Sequence, residues 1–295
     1  MQTDTTSTAG SSDRFSGELF NRLLVGVGGS DRSLTALRYA LEIARRTSAE
    51  VESLIVEDVI LSCKLFLGHG DSLRHFMEEA ERLAGIAGNR VERQIQQLAG
   101  EMRLAVAVLR DQGRVADCMV DASGRASLLV LGKFGHRSDH GGLLGTNTEL
   151  IVRRAHKPVL LTPERFVWPR KVLIAFGGKS LGDAVLRTGI TCSQSLGLPL
   201  TVITIERDAA RRSSLWERAK NQFPELGAST TFEHDDADPP SSIARRTAND
   251  TLLVMGAHGR SKLYRMILGS VTTAVMRAAH GLVLLTAKRK QDAAK

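Results

Sequence analysis

The sequence predicts an α/β protein made of two tandem doubly wound domains, each with a parallel sheet, and three observations predict it. The stretch "LLVLGKFGHRSDHGGLLGTNTELIVRRAHKPVLLT" (Leu128–Thr162) recurs as "LLVMGAHGRSKLYRMILGSVTTAVMRAAHGLVLLT" (Leu252–Thr286), position 162 against 286, a constant offset of 124. The starts of the copies also match, "VGVGGSDRSLTALRYALEIA" against "LIAFGGKSLGDAVLRTGITC", Gly28 against Gly177, an offset of 149. In both copies short continuous apolar runs alternate with segments of helical spacing, the signature of buried parallel strands joined by helical crossovers.

Taken in order, the first copy opens with an apolar strand, Leu23–Val27, that stops at Gly28-Gly29. Ser30 and Asp31 then start a helix whose apolar positions Leu34, Leu37, Leu41 and Ala44 share one face. A second strand is expected over Val51–Val56, a third over Leu104–Leu109, a fourth over Leu128–Leu131 and a last over Val159–Thr162. A short helix is expected after the third strand and a long one after the fourth. The second copy repeats the strands at Val172–Phe176, Leu200–Ile205, Thr230–Glu233, Thr251–Met255 and Val283–Thr286. The offsets 149 and 124 differ by 25, so the first copy carries an additional segment, expected within Asp71–Gly100, where the spacing is helical. Its shortened counterpart is "SSLWERAKNQF". These readings divide the chain into a Ser/Thr-rich disordered tail (1–19), a first domain (20–162), a stiff linker "PERFVWPR" with the boundary at 163–169, a second domain (170–287) and a basic tail (288–295).

Composition narrows the function. With 295 residues, 42% hydrophobic and 24% charged, the chain can bury real cores. No apolar run approaches a membrane span, and the N-terminus has no apolar stretch of signal-peptide type, so a cytoplasmic protein with no membrane partner is expected. Cys63, Cys118 and Cys192 are scattered and encode neither a disulfide framework nor a zinc site. A net charge of +8 raises nucleic acid as a partner, but aromatics are only 4% and the basic residues do not interleave with stacking rings; a solvated basic surface is expected instead.

The residues that carry chemistry lie after the fourth strand. Both copies read Gly-x-x-Gly, nine residues, then Gly-Ser or Gly-Thr: Gly132, Gly135, Gly145 and Thr146 in the first, Gly256, Gly259, Gly269 and Ser270 in the second. The first glycine pair lets the backbone approach a ligand, and the later Gly-Ser/Thr opens a helix whose free N–H groups and dipole favour phosphate. In a parallel sheet such ligands lie beyond the carboxyl ends of the strands, where strand order switches.

This pattern, over nearly all of Leu23–Thr286, resembles the universal stress protein family in its tandem form, a Rossmann-like fold whose nucleotide-binding branch carries G-x2-G-x9-G-(S/T). The resemblance implies an adenine nucleotide, ATP or AMP with or without magnesium, held by Gly256, His258, Gly259, Gly269, Ser270, Val271 and Thr272. It places the adenine end near Gly177, Gly178 and Ile205 in the second copy and near Gly28, Gly29 and Val56 in the first. It also implies a stress-response or regulatory role, with no dedicated catalysis beyond slow ATP hydrolysis, and an intramolecular domain pair, or a homodimer, joined through the strands "PVLLT" and "LVLLT". One departure stands out: the family commonly ends its first strand with Val-Asp, and this chain has Gly28 and Gly177 there.

That departure keeps two other readings open. One is an interaction module with a decayed nucleotide site. The other is an ATP pyrophosphatase-type enzyme built on Gly-Gly-Ser-Asp, although Val27 replaces that loop's first serine and the second copy has no counterpart of Asp31. Asp31 is expected to act in helix capping beside Ser30 and Ser33, and His156 and His280 at helix ends likewise. His258 reads equally as a ligand contact or a solvated loop residue. Arg260, Lys262 and Arg265, with Lys133, His136 and Arg137 in the first copy, are candidates to meet phosphate. The second copy is expected to be the better site, because the first places Asn147 in its turn and Asp139 in its loop.

Overall fold

The computed structural model describes residues 18–58, 73–134, 144–178, 181–257 and 268–286. The first half runs β1 (Arg22–Gly26), α1 (Asp31–Thr47), β2 (Glu50–Glu57), α2 (Leu73–Met102), β3 (Ala107–Gln112), α3 (Val115–Ala122), β4 (Leu128–Gly132), α4 (Thr146–Arg154) and β5 (Val159–Thr162). The second runs β6 (Lys171–Ala175), α5 (Gly182–Leu196), β7 (Leu200–Thr204), α6 (Ala209–Gln222), β8 (Thr231–His234), α7 (Pro239–Arg246), β9 (Thr251–Gly256), α8 (Ser270–Ala278) and β10 (Leu282–Thr286).

All ten strands form one sheet in the order β3-β2-β1-β4-β5-β10-β9-β6-β7-β8. Every neighbouring pair is parallel except β5 with β10, which run antiparallel with Leu160 opposite Leu284. The α/β doubly wound class expected from the alternation of strands and helices is therefore present, and the two halves meet through the strands "PVLLT" and "LVLLT". Apolar clusters cover both faces of this sheet. Each runs from one half into the other, which is why the central strands read as unbroken apolar sequence rather than as alternation.

Two local readings shift. The third strand begins at Ala107, not Leu104, because α2 closes in a left-handed turn: Arg103 takes φ 56°, its N–H donates to Gly100 O, and Leu104 N–H donates to Ala99 O. That is the hydrogen-bond pattern that satisfies helix-terminal carbonyls, and it uses Leu104 as its apolar partner. The helices after the fourth strands are short, nine residues each, starting only at Thr146 and Ser270. The additional segment of the first half enlarges one crossover, since α2 has 30 residues against 14 in α6.

The stretch between the halves lies against α1. Thr35 Oγ1 donates to Glu164 O at 3.1 Å, and Arg32 pairs with Glu164 at 2.7 Å. Tyr39 Oη accepts from Val167 N–H at 2.8 Å and donates to Val167 O at 2.9 Å. Arg38 and Arg46 lie over the Phe166 and Trp168 rings. Beneath Trp168, at the amino ends of β4 and β9, Leu128, Leu160, Cys192, Leu252 and Leu284 line an apolar cavity of about 10 Å³. It is too small for any nucleotide and stands at the end of the sheet opposite the glycine turns.

The seam supports a direct expectation. Val159, Leu160, Leu161, Val283, Leu284 and Leu285 are all at most 2% exposed, and separating the halves would turn each of these strands into an open apolar edge. Each half expressed alone is expected to dimerise or aggregate; two well-behaved monomers in sedimentation velocity would contradict this.

Candidate functional site

In each half the first and fourth strands are neighbours, β1 beside β4 and β6 beside β9, so the sheet places Gly28-Gly29 beside Gly132 and Gly177-Gly178 beside Gly256. The ladder extends one residue past each first strand, Val27 N–H donating to Leu54 O and Phe176 N–H to Ile203 O. The chain then turns on the second glycine, Gly29 at φ +77° and Gly178 at φ +62°. Those conformations suit glycine, and space demands it too: a Cβ at Gly29 would lie 2.7 Å from Val91 Cγ2, and one at Gly178 would lie 2.2 Å from Leu215 Cδ2. Gly28 and Gly177 differ, because a Cβ there meets nothing within 4 Å. Where the family commonly has its carboxylate, a side chain in either half would therefore start clear of the described residues.

Val91 on α2 and Leu215 on α6 were not singled out by sequence. They occupy matching places in helices of unequal length and form an apolar wall over the first turn. The only legible signal was their membership of an apolar helix face. Val56 and Ile205 stand half-buried at or just past the ends of the second strands. Ser30 is the cap of α1, its Oγ accepting from Ser33 N–H at 3.3 Å, and Asp31 occupies the first helical position, where an acid complements the dipole.

The glycine turns are built alike in the two halves. Thr148 Oγ1 donates to Gly132 O at 2.9 Å and Thr272 Oγ1 to Gly256 O at 3.1 Å, which ties the start of each helix to the end of the fourth strand. Thr272 is 4% exposed, so its hydroxyl acts as a strut and its contribution to a ligand would come through its backbone N–H. Gly145 and Gly269 are N-caps in extended conformation with no side-chain cap. By contrast, Ser30, Asp208 and Asp238 cap α1, α6 and α7 with side-chain oxygens. Among the described residues no side chain caps the first-turn amides of α4 and α8, which suits them to an outside acceptor. Thr146, Asn147 and Ser270 are exposed and Val271 half-buried; Gly145 is buried whereas Gly269 is half-buried, so the second turn is the more open. Gly135, His136, Arg137, Asp139, His258, Gly259, Arg260, Lys262 and Arg265 lie outside the described residues.

Lys133 does not extend its side chain toward the phosphate turn that its own backbone borders. Its side chain is 1% exposed and crosses the seam, Nζ donating to Ala279 O at 2.5 Å and lying 3.5 Å from Gly281 O. Burial pushes the ammonium down to about 8, while the carbonyls at the end of α8 favour its charged form. Between about pH 8 and 10.5 the unfolded chain binds a proton there that the folded chain has released, so stability rises with pH across that window. Urea unfolding is expected to show wild type gaining up to about 3 kcal/mol on Lys133→Met from pH 7.5 to 10.5. Parallel pH profiles would contradict the burial cost. His156 and His280 stand one residue past the C-caps Ala155 and Ala279 and are exposed.

Comparison with known proteins agrees with this architecture. The universal stress protein family model matches residues 19–163 and again 169–286. Universal stress protein Slr1230 of Synechocystis sp. is 27% identical over 278 residues, covering 86% of this chain and 96% of its own. Universal stress protein Rv1996 of Mycobacterium tuberculosis is 23% identical over 317 residues, covering 92% and 96%. The crystal structure of a universal stress protein from Archaeoglobus fulgidus shares the fold at TM-score 0.67 and 19% identity, over 93% of this chain and 98% of that one. With two family matches spanning both halves of one continuous sheet, the chain belongs to the universal stress protein family.

Proposed function

We propose that this chain is an adenine-nucleotide-binding regulatory module, taking ATP or AMP at the glycine turns, rather than a dedicated enzyme. The observation that carries the reading is the pair of uncapped, glycine-led helix starts at Gly145-Thr146 and Gly269-Ser270, each beside the glycine end of a first strand. Phosphates would accept from the first-turn amides of α8 beside Gly256; the resemblance adds His258 and Gly259. The base would lie toward Gly177, Gly178 and Ile205 against Leu215. The first half would offer the same frame through Gly132, Gly145, Thr146, Gly28, Gly29 and Val56, with Val91 as the wall; the resemblance adds Gly135.

Family membership supports this reading. Among the described residues no helix is long and apolar enough to cross a membrane. The boundaries 20–162 and 170–287 are the two units we assign to the two sites. Equilibrium dialysis with labelled ATP and AMP, together with mass spectrometry of nucleotide carried through purification, tests the reading. Retention of neither nucleotide at millimolar concentration overturns it. The missing carboxylates at Gly28 and Gly177 favour a second reading, an interaction module whose nucleotide site has decayed, and that negative result would support it.

A further inference from the structure

Lys133 occupies the place that Ala257 takes in the second half, and it joins the two candidate turns. Its own backbone belongs to the first: Lys133 N–H donates to Thr162 O, and its carbonyl accepts from Gly145 N–H, the cap of α4. Its side chain belongs to the second, because Nζ donates to Ala279 O, the C-cap of α8. From that point α8 runs nine residues, about 14 Å, back to Ser270 and the turn opened by Gly269. Ala257 cannot return the contact to α4. The arginines ending α4 serve partners within the first half, Arg153 pairing with Glu149 and Arg154 with Asp117.

We propose that Lys133, a residue of the first half, is the remote cation of the second half's phosphate turn, favouring phosphate-bearing ligands there along the axis of α8. This rests on the nucleotide reading of the Gly269–Thr272 turn. An ammonium on the terminal carbonyls offsets the negative end of the helix, so the positive end faces an anion with less opposition. Acting over about 14 to 20 Å through protein and partly through solvent, one charge is worth about 1.5- to twofold in affinity per negative charge on the ligand. Burial of the head group limits screening by salt.

The test is calorimetric titration of the full chain carrying Gly145→Val, which silences the first turn, with adenosine, AMP and ATP. Lys133→Met removes charge and donor, and Lys133→Gln keeps a donor for the same carbonyls without the charge. For both variants adenosine affinity should stay within about twofold, AMP should weaken about two- to fourfold and ATP at least fivefold. Unchanged ATP affinity in the variants overturns the proposal. So does an equal loss for adenosine, which would mark a merely structural role, and so does full ATP affinity in Lys133→Gln, which would assign the effect to hydrogen bonding. Absence of ATP binding in the Gly145→Val parent, with ATP bound by wild type, overturns the placement at Gly269; absence in wild type overturns the nucleotide reading itself.

Discussion

Gly269→Val is expected to abolish most nucleotide binding, whereas Gly145→Val changes it little. Gly269 is half-buried at φ −61° and ψ 145°, a conformation that valine adopts, so the helix should still form and the effect should be confined to the turn. A branched side chain there stands where phosphate would approach the amides of Ser270, Val271 and Thr272. Losing one hydrogen bond to a charged group costs on the order of 1.5–3 kcal/mol, so the loss is about tenfold or more for each amide denied its acceptor. The first half starts from a weaker position: Gly145 is buried, its N–H is already taken by Lys133 O, and Asn147 replaces Val271. Calorimetry on the two variants decides between the halves, and a larger loss from Gly145→Val would reverse the order.

Gly281→Ala is expected to be the most damaging single methyl group in the second half. A Cβ at Gly281 would sit 2.3 Å from Ala248 O and 2.4 Å from Thr251 O. Neither carbonyl can swing away cheaply. Ala248 O accepts from Thr251 N–H, Thr251 opens β9 in the middle of the sheet, and Gly281 N–H is itself donated to Thr247 O. Overpacking against backbone of this kind falls at the upper end of the usual range, about 3 kcal/mol. At the matching position of the first half stands Lys157, half-buried, where Lys157→Ala should move stability by about 0.5 kcal/mol at most. Urea unfolding of both variants checks the contrast, and a loss below about 1 kcal/mol for Gly281→Ala would refute it.

Much of the fold was legible because the duplication supplies two independent readings of each element. A strand such as Leu128–Leu131 is a short apolar run that alone could be helix or strand. Its recurrence at Leu252, each time followed by a glycine, fixes it as a strand that ends at a turn. The expected first-strand ends, the helix start at Ser30-Asp31, and the pairing of "PVLLT" with "LVLLT" rest on the same kind of local chemistry. Boundaries were less legible where a helix end borrows from the next strand. Leu104 reads as the start of β3, yet it serves the left-handed turn at Arg103.

The sequence by itself determined the duplication, the α/β class, the glycine turns and the family they resemble, since these depend on periodicity and on residues that act where they stand in the chain. Only the tertiary structure decided what depends on distant segments meeting. It placed Val91 and Leu215 over the first turns, spent the Thr272 hydroxyl on Gly256 O, and took Lys133 from the expected phosphate loop to the end of α8, 146 residues away. A lysine after a glycine strand looks the same in sequence whether its ammonium meets phosphate or a helix terminus. The choice is made by the antiparallel pairing of β5 with β10, which brings the other half's carbonyls within reach and excludes the water that would otherwise solvate the charge.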